Sequence, residues 1–175
     1  RTILMIIVSI YMIVIPWAAT SLVGLLIAVI ILLISIFRVR IKLIWGIIAS
    51  LIIWVSFGIL RLQDIFSTFI VNVLRRDITF STRTNIWDTA LFYIHKKPIL
   101  GWGVESAQVA TQKFGMLTTH NKYFYLLYQG GVLLLITFIV LMVIMHNSLK
   151  KEKDTRASVI ITAFIISFLV MMIFE

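Results

Sequence analysis

The chain has 175 residues, 61% of them hydrophobic and 13% charged, with a mean hydropathy of +1.08. Soluble domains carry about 45–50% apolar and about 25% charged residues, and a fold of this length has too little interior to hide the excess. A soluble enzyme, a DNA-binding domain and a disordered tail are excluded together. The expected fold class is all-α, a polytopic integral membrane helical bundle with a long extracytoplasmic loop carrying interfacial helices. The charge of +9 comes from 16 Lys and Arg against 7 Asp and Glu. Most of these cations sit at the edges of apolar blocks, where they suit anionic lipid or phosphate and not nucleic acid.

Cysteine is absent, which removes disulfides, thiolate metal sites and a cysteine nucleophile. The sequence opens at Arg1 without Met and stops at Glu175 directly after an apolar run, so it reads as a piece of a longer protein. Residues 2–16 follow a single charge and lack a cleavage site, unlike a signal peptide.

A bilayer core of about 30 Å takes roughly 17–25 helical residues to cross. Pro16 with the following Ala18-Ala19-Thr20-Ser21, and the cluster Arg38, Arg40 and Lys42, divide the first block. Spans are expected over 2–18, 21–37 and 42–60. Two more are expected over 125–146 and 157–174. Arg38, Arg40 and Lys42 fill one short loop, and Lys150, Lys151, Lys153 and Arg156 fill another. Basic short loops mark the cytoplasmic side, so residues 61–122 are expected to be extracytoplasmic in a multi-pass protein of the inner (plasma) membrane.

Sixty residues between spans exceed what a connection needs. Ile65, Phe66, Phe69, Ile70 and Val73 form one helical stripe, and Ile86, Trp87, Ala90, Leu91 and Ile94 form another. The second has Thr84 as its expected N-cap and Pro98 as its stop. Such helices suit the membrane interface. The polar groups of the segment include Arg75, Arg76, Arg83, Asp88, His95, Glu105, Lys113, His120, Asn121 and Lys122. No zinc-protease, phosphate-loop or serine-hydrolase motif occurs, and no metal site or cofactor is expected. Gly101-Trp102-Gly103 is compatible with a tight backbone approach, but a lone Gly-x-Gly more often just makes a turn. His120-Asn121 stands just before Tyr123, Phe124, Tyr125 and Tyr128, an aromatic belt. With Arg83 it offers a fixed cation and a titratable base at membrane height.

From Ser81 to about Met142 the order of motifs is Arg83-x-x-x-Trp87, Lys97-Pro98-x-x-Gly101-x-Gly103, His120-Asn121-x-Tyr123 and Gln129-Gly130-Gly131. This order resembles the O-antigen ligase and O-antigen or capsular polysaccharide polymerase superfamily, of which the chain would be a C-terminal portion. One position departs. Where many members carry a Ser-Arg pair, Ser21 is followed by Leu22, a difference that favours polymerase over ligase; Arg61, Arg75 or Arg76 are candidates to replace the missing cation.

The resemblance implies a membrane glycosyltransferase of cell-surface polysaccharide synthesis, drawing oligosaccharide from an undecaprenyl-pyrophosphate carrier by inversion without a metal. His120 would be the base and Arg83 the pyrophosphate ligand. Asn121, Lys122, Trp87, Arg76 and Tyr123 would line the substrate site, with Trp102 and Tyr125 as further stacking surfaces. The expected partners are the lipid-linked donor, a glycan acceptor, the bilayer and a chain-length regulator or flippase of the same pathway, with no nucleic acid. Alternatives are a ligase acting on a lipid A core, a non-catalytic polysaccharide transporter fragment and a structural membrane subunit.

Overall fold

A computed structural model describes residues 19–37, 39–62 and 80–174. The expected helix over 2–18, the stripe from Ile65 to Val73, and Arg38, Arg75 and Arg76 lie outside the described residues. Among the described residues the chain is all-helical. Its helices are α1 (Ala19–Ile36), α2 (Leu43–Trp54), α3 (Phe80–Lys96), α4 (Ala107–Phe114), α5 (Lys122–Lys151) and α6 (Thr155–Met171), and a π-helical turn, Val55–Ile59, extends α2.

The helices associate through stripes that their sequences carry. On α2, Leu43, Gly46, Ile47, Ser50 and Trp54 recur at helical spacing and are buried. Gly46 lets α6 approach so closely that a β-carbon there would lie 2.3 Å from Ile166 Cγ1. On α1, Gly24 does the same against Met171, with a hypothetical Cβ 2.4 Å from its sulfur, while Ala28 and Ile31 complete the buried stripe. Small residues at helix contacts are what apolar bundles use when packing, not water exclusion, holds helices together. The outward faces stay apolar: Val23, Leu26, Ile30 and Leu33 on α1, Trp45 and Ile52 on α2, and Leu133, Ile136, Val140 and Ile144 on α5 are exposed.

One helix among the described residues, Lys122–Lys151, is long and apolar enough to cross a membrane; Thr20–Ile36, Leu43–Ile59 and Thr155–Met171 are shorter apolar helices. Asp154 starts α6 by accepting from the amides of Arg156 and Ala157 at 2.9 and 3.2 Å. Asn121 starts α5 by accepting from the Phe124 amide at 3.1 Å.

Helix α5 is broken at Gly131, whose φ of 62° and ψ of −162° are non-helical. The break strands backbone groups that a continuous helix would pair, and the loop after α3 takes them up. The amides of Trp102 and Gly103 donate to the carbonyls of Tyr128 and Gln129, both at 2.8 Å. In return, the amides of Val132 and Leu133 donate to the carbonyls of Pro98 and Ile99 at 2.8 and 3.3 Å. Backbone meets backbone here, which leaves no room for side chains. A β-carbon on Gly101 would stand 2.5 Å from the Gln129 carbonyl, and one on Gly131 would stand 2.2 Å from the Ile99 oxygen. The two glycine motifs are thus the two halves of one joint, which fixes the loop after α3 against α5 at its break.

The two ends of the bundle differ. Arg40, Lys42, His146 and Lys150 gather around one cleft, whereas Asn121 and Lys122 begin α5 at its other end, beside the closing turn of α6.

Candidate functional site

The last carbonyls of a helix lack intrahelical partners and carry the negative end of its dipole. At the end of α6 three neighbours supply donors. The Lys122 amide donates to Met172 O at 2.8 Å, Asn121 Nδ2 to Ile173 O at 2.9 Å, and Arg83 Nη1 to Phe174 O at 2.8 Å. Elements remote in sequence, α3, the start of α5 and the end of α6, are thereby tied at one point. His120 stands there too.

His120 has a φ of 48°, a left-handed conformation that His adopts more readily than most non-glycine residues but at a cost of about 1–2 kcal/mol. Its amide lies 3.4 Å from Thr118 Oγ1, and its Nε2 lies 3.1 Å from Met116 Sδ. The ring is pushed below its ordinary pKa of 6.5, first by partial burial and then by the charges of Arg83 and Lys122. Each effect disfavours the imidazolium. Arg83 and the Asn121 that follows His120 bond adjacent carbonyls, Phe174 O and Ile173 O, which brings the guanidinium and the imidazole to the same end of α6.

Behind these two groups lies a packed support. Trp87 has 0% exposure, donates its indole N–H to Thr119 O at 3.1 Å and packs on Phe124 with ring centroids 6.0 Å apart. Thr119 Oγ1 donates to the Asn121 carbonyl at 2.7 Å. Tyr123, 1% exposed, stacks on Trp54 at 5.3 Å and donates its hydroxyl toward Ser50 Oγ and Leu169 O, each at 3.2 Å.

These positions correct part of the sequence reading. Trp87 and Tyr123 are core side chains whose polar atoms are already partnered, so neither presents a face to a sugar. Asn121 is buried with both ends of its amide engaged, and its work is to set the backbone that carries His120. Thr84 is interior to α3, which begins at Phe80, and so does not cap it. Trp102 is half-buried and donates to Tyr93 O at 2.9 Å. Lys122 and Tyr125 are half-buried.

Two further clusters adjoin the site. Arg61, at a φ of 54° just after the π-helical turn, donates to Thr84 O at 3.0 Å, pairs with Asp88 and lies over the Trp87 ring at 5.8 Å. A second cation is thereby brought to the turn of α3 that holds Arg83. On the far side of the loop, Lys113 Nζ bonds both oxygens of Glu105 at 2.7 and 3.0 Å and the Tyr128 hydroxyl at 2.8 Å, and Tyr128 also bonds Glu105. The Tyr93 and Trp102 rings flank the ammonium at 4.9 and 4.1 Å. Burial alone would raise the Glu105 pKa, but the hydrogen bonds from Lys113 and Tyr128 and the nearby positive charge bring it below its ordinary 4.5. The Lys113 pKa is raised above 10.5: burial opposes the shift, and its bonds to Glu105 and Tyr128 outweigh that. This cluster clamps α4 to α5.

Sequence reasoning missed Thr119, the Ile173 and Phe174 carbonyls and the Glu105–Lys113–Tyr128 clamp. A buried carbonyl has no signature in sequence; Glu105 and Lys113 were visible only as isolated charges. Among the described residues, no three His, Asp or Glu side chains gather as a metal-ligand set.

The family model for O-antigen ligase matches residues 4–139, most of the chain and all of the elements named above except the end of α5 and α6. No curated protein and no solved structure is a significant match. Members of this family are membrane-associated, glycosyltransferase-type enzymes of polysaccharide biosynthesis, with lipid-linked oligosaccharide and glycan substrates.

Proposed function

We propose that this chain, which belongs to the O-antigen ligase family, forms the transfer site of a multi-pass membrane glycosyltransferase whose donor is an oligosaccharide on a polyprenyl pyrophosphate. The observation that carries the proposal is that Arg83, bonded to Phe174 O, and His120, whose neighbour Asn121 is bonded to Ile173 O, meet at the end of the bundle remote from the basic cleft. A donor of this kind has its lipid in the bilayer and its sugar in water, so its scissile bond sits at the interface. The basic cleft suits the cytoplasmic face, which leaves His120 and Arg83 at the outer headgroup level. The shorter helices of about 17 residues reach the lower limit for a span, and their exposed apolar faces support the polytopic reading.

In the reaction, an acceptor hydroxyl oxygen attacks the anomeric carbon while the bond from that carbon to the pyrophosphate oxygen breaks, inverting the configuration. His120 takes the hydroxyl proton. A depressed pKa keeps the imidazole unprotonated at neutral pH, which a general base requires. The leaving pyrophosphate gains negative charge, which Arg83 stabilises; a guanidinium stays charged and meets phosphate oxygens with a planar fork. With that cation supplied by the protein, the step needs no metal. Lys122 adds positive charge beside the base. Trp87, Tyr123 and Asn121 act as positioning residues.

Polymerase is favoured over ligase because Leu22 replaces the arginine that many members carry. Arg61, delivered to the same turn of α3 as Arg83, is the candidate to replace it. Arg76 remains a proposed donor contact on the sequence pattern alone. The test is transfer in vitro with purified lipid-linked oligosaccharide. Wild-type protein should elongate it, whereas His120→Ala and Arg83→Ala should each slow product formation by about a hundredfold or more while the protein stays folded in the membrane. Normal product from His120→Ala overturns the base assignment.

A further inference from the structure

The end of the bundle remote from His120 holds a cleft of about 180 Å³ between the link before α2 and the link between α5 and α6. Arg40, Lys42, His146 and Lys150 line it, above an apolar floor of Leu149 and Val159. Arg40, Lys42 and Lys150 are exposed, and three cations converging on one opening make a local positive potential that attracts an anion. Glu152, whose Oε1 accepts from the Asp154 amide at 3.0 Å, is the acid in the lining, and it leaves the three cations in excess. Asp154 caps α6, and Ser158 donates to Leu149 O at 3.1 Å. The ion pairs among the described residues are Arg61–Asp88 and Lys113–Glu105, so Arg40, Lys42 and Lys150 pair with no acid among the described residues. In the chain just before Arg40, Ile36, Phe37 and Val39 are exposed, Phe37 to 80%.

We propose that this cleft binds the phosphate of an anionic phospholipid, with Arg40, Lys42 and Lys150 around the phosphate, His146 as a further polar contact and the acyl chains against Ile36, Phe37 and Val39. Three cations around a small opening match one phosphate with a polar headgroup. The exposed apolar residues just before Arg40 distinguish a lipid from a free anion. The lipid source rests on the membrane placement proposed above, whereas the anion site rests on the cleft itself. Bound lipid would bridge the α1–α2 link to the α5–α6 link and brace the bundle at this end.

The test is thermal unfolding of the detergent-solubilised protein with added phosphatidylglycerol, phosphatidylcholine or inorganic phosphate. Phosphatidylglycerol at a hundredfold excess over its Kd should raise the midpoint by on the order of 5 °C, and phosphatidylcholine should leave it unchanged. In Lys42→Gln/Lys150→Gln the phosphatidylglycerol shift should fall by at least half. Lys151→Gln/Lys153→Gln, which removes as much charge next to the cleft, should keep the full shift, as should His120→Ala, which separates this site from transfer. A shift with inorganic phosphate that the cleft variant loses supports the anion site with free phosphate as its source. Equal shifts in the two double variants, or no shift with any anion, overturn the proposal.

Discussion

Gly131→Ala places one methyl group at the joint between the loop after α3 and the break in α5. With φ at 62° and ψ at −162°, the position lies in a region that is essentially glycine's alone, and an alanine there carries about 1–3 kcal/mol of strain. Its β-carbon would lie 2.2 Å from the Ile99 oxygen and 2.6 Å from the Pro98 oxygen. Both are backbone atoms with no rotamer to turn, so the loop must retreat. Retreat breaks the bonds from Val132 to Pro98 O and from Leu133 to Ile99 O, at a net cost of about 0.5–1.5 kcal/mol each. The total is roughly 2–6 kcal/mol, which for a chain of this size corresponds to a midpoint lowered by on the order of 10 °C. Gly103→Ala is the internal control: its φ is 79°, but nothing lies within 4 Å of the added carbon, so only left-handed strain of about 1–2 kcal/mol applies. Gly101→Ala, facing the Gln129 backbone, should fall with Gly131→Ala. Thermal unfolding in detergent, followed by size-exclusion fluorescence, reads all three. Equal midpoints for Gly131→Ala and Gly103→Ala would refute the joint.

Asn121→Ala removes both the cap on α5 and the tie to Ile173 O; we expect a loss of about 1–3 kcal/mol and slower transfer, with stability restored more fully by Asn121→Asp at the cap than at the tie. Glu105→Gln should abolish a specific pH window. The lowered Glu105 pKa contributes stability that is present above 4.5 and lost as pH falls through the native pKa, and the raised Lys113 pKa contributes stability present below 10.5 and lost as pH rises past it. Unfolding midpoints scanned across pH should therefore show an acid-side decline in wild type that the variant lacks. His120→Gly removes the imidazole and the left-handed strain together, so the unfolding free energy should stay within about 1 kcal/mol of wild type while transfer is lost and partly regained with added imidazole. The acid limb of the wild-type rate profile should lie below pH 6.5, and Lys122→Gln should move it upward by removing one of the charges that depress His120.

The all-helical class is legible because helices apolar on every side are the local solution for such runs. The face on which a residue falls is harder to read. Trp87 belongs to the stripe of Ile86, Ala90 and Ile94, all buried, and its place in that stripe argued for the core more strongly than its indole argued for sugar stacking. Asn121, standing directly before an apolar helix, carried the ordinary signature of a cap, and that cap is what it forms. Gly101-Trp102-Gly103 was legible as a turn or a tight backbone approach, but what it approaches was not, because the other half of the joint is backbone some thirty residues away and backbone pairing leaves no residue type behind. His120 and Arg83 stood out for their chemistry, but their common tether, the carbonyls that end α6, has no counterpart in any motif.

A double-mutant cycle on the transfer rate tests the central claim most directly. A base and a phosphate ligand that serve one transition state act as a unit, and single losses of about 10²–10⁴ and 10²–10³ should not multiply. The account predicts that Arg83→Ala/His120→Ala transfers oligosaccharide no more than tenfold slower than the worse single variant. Losses that multiply in full, or a single variant that transfers at the wild-type rate, would contradict it.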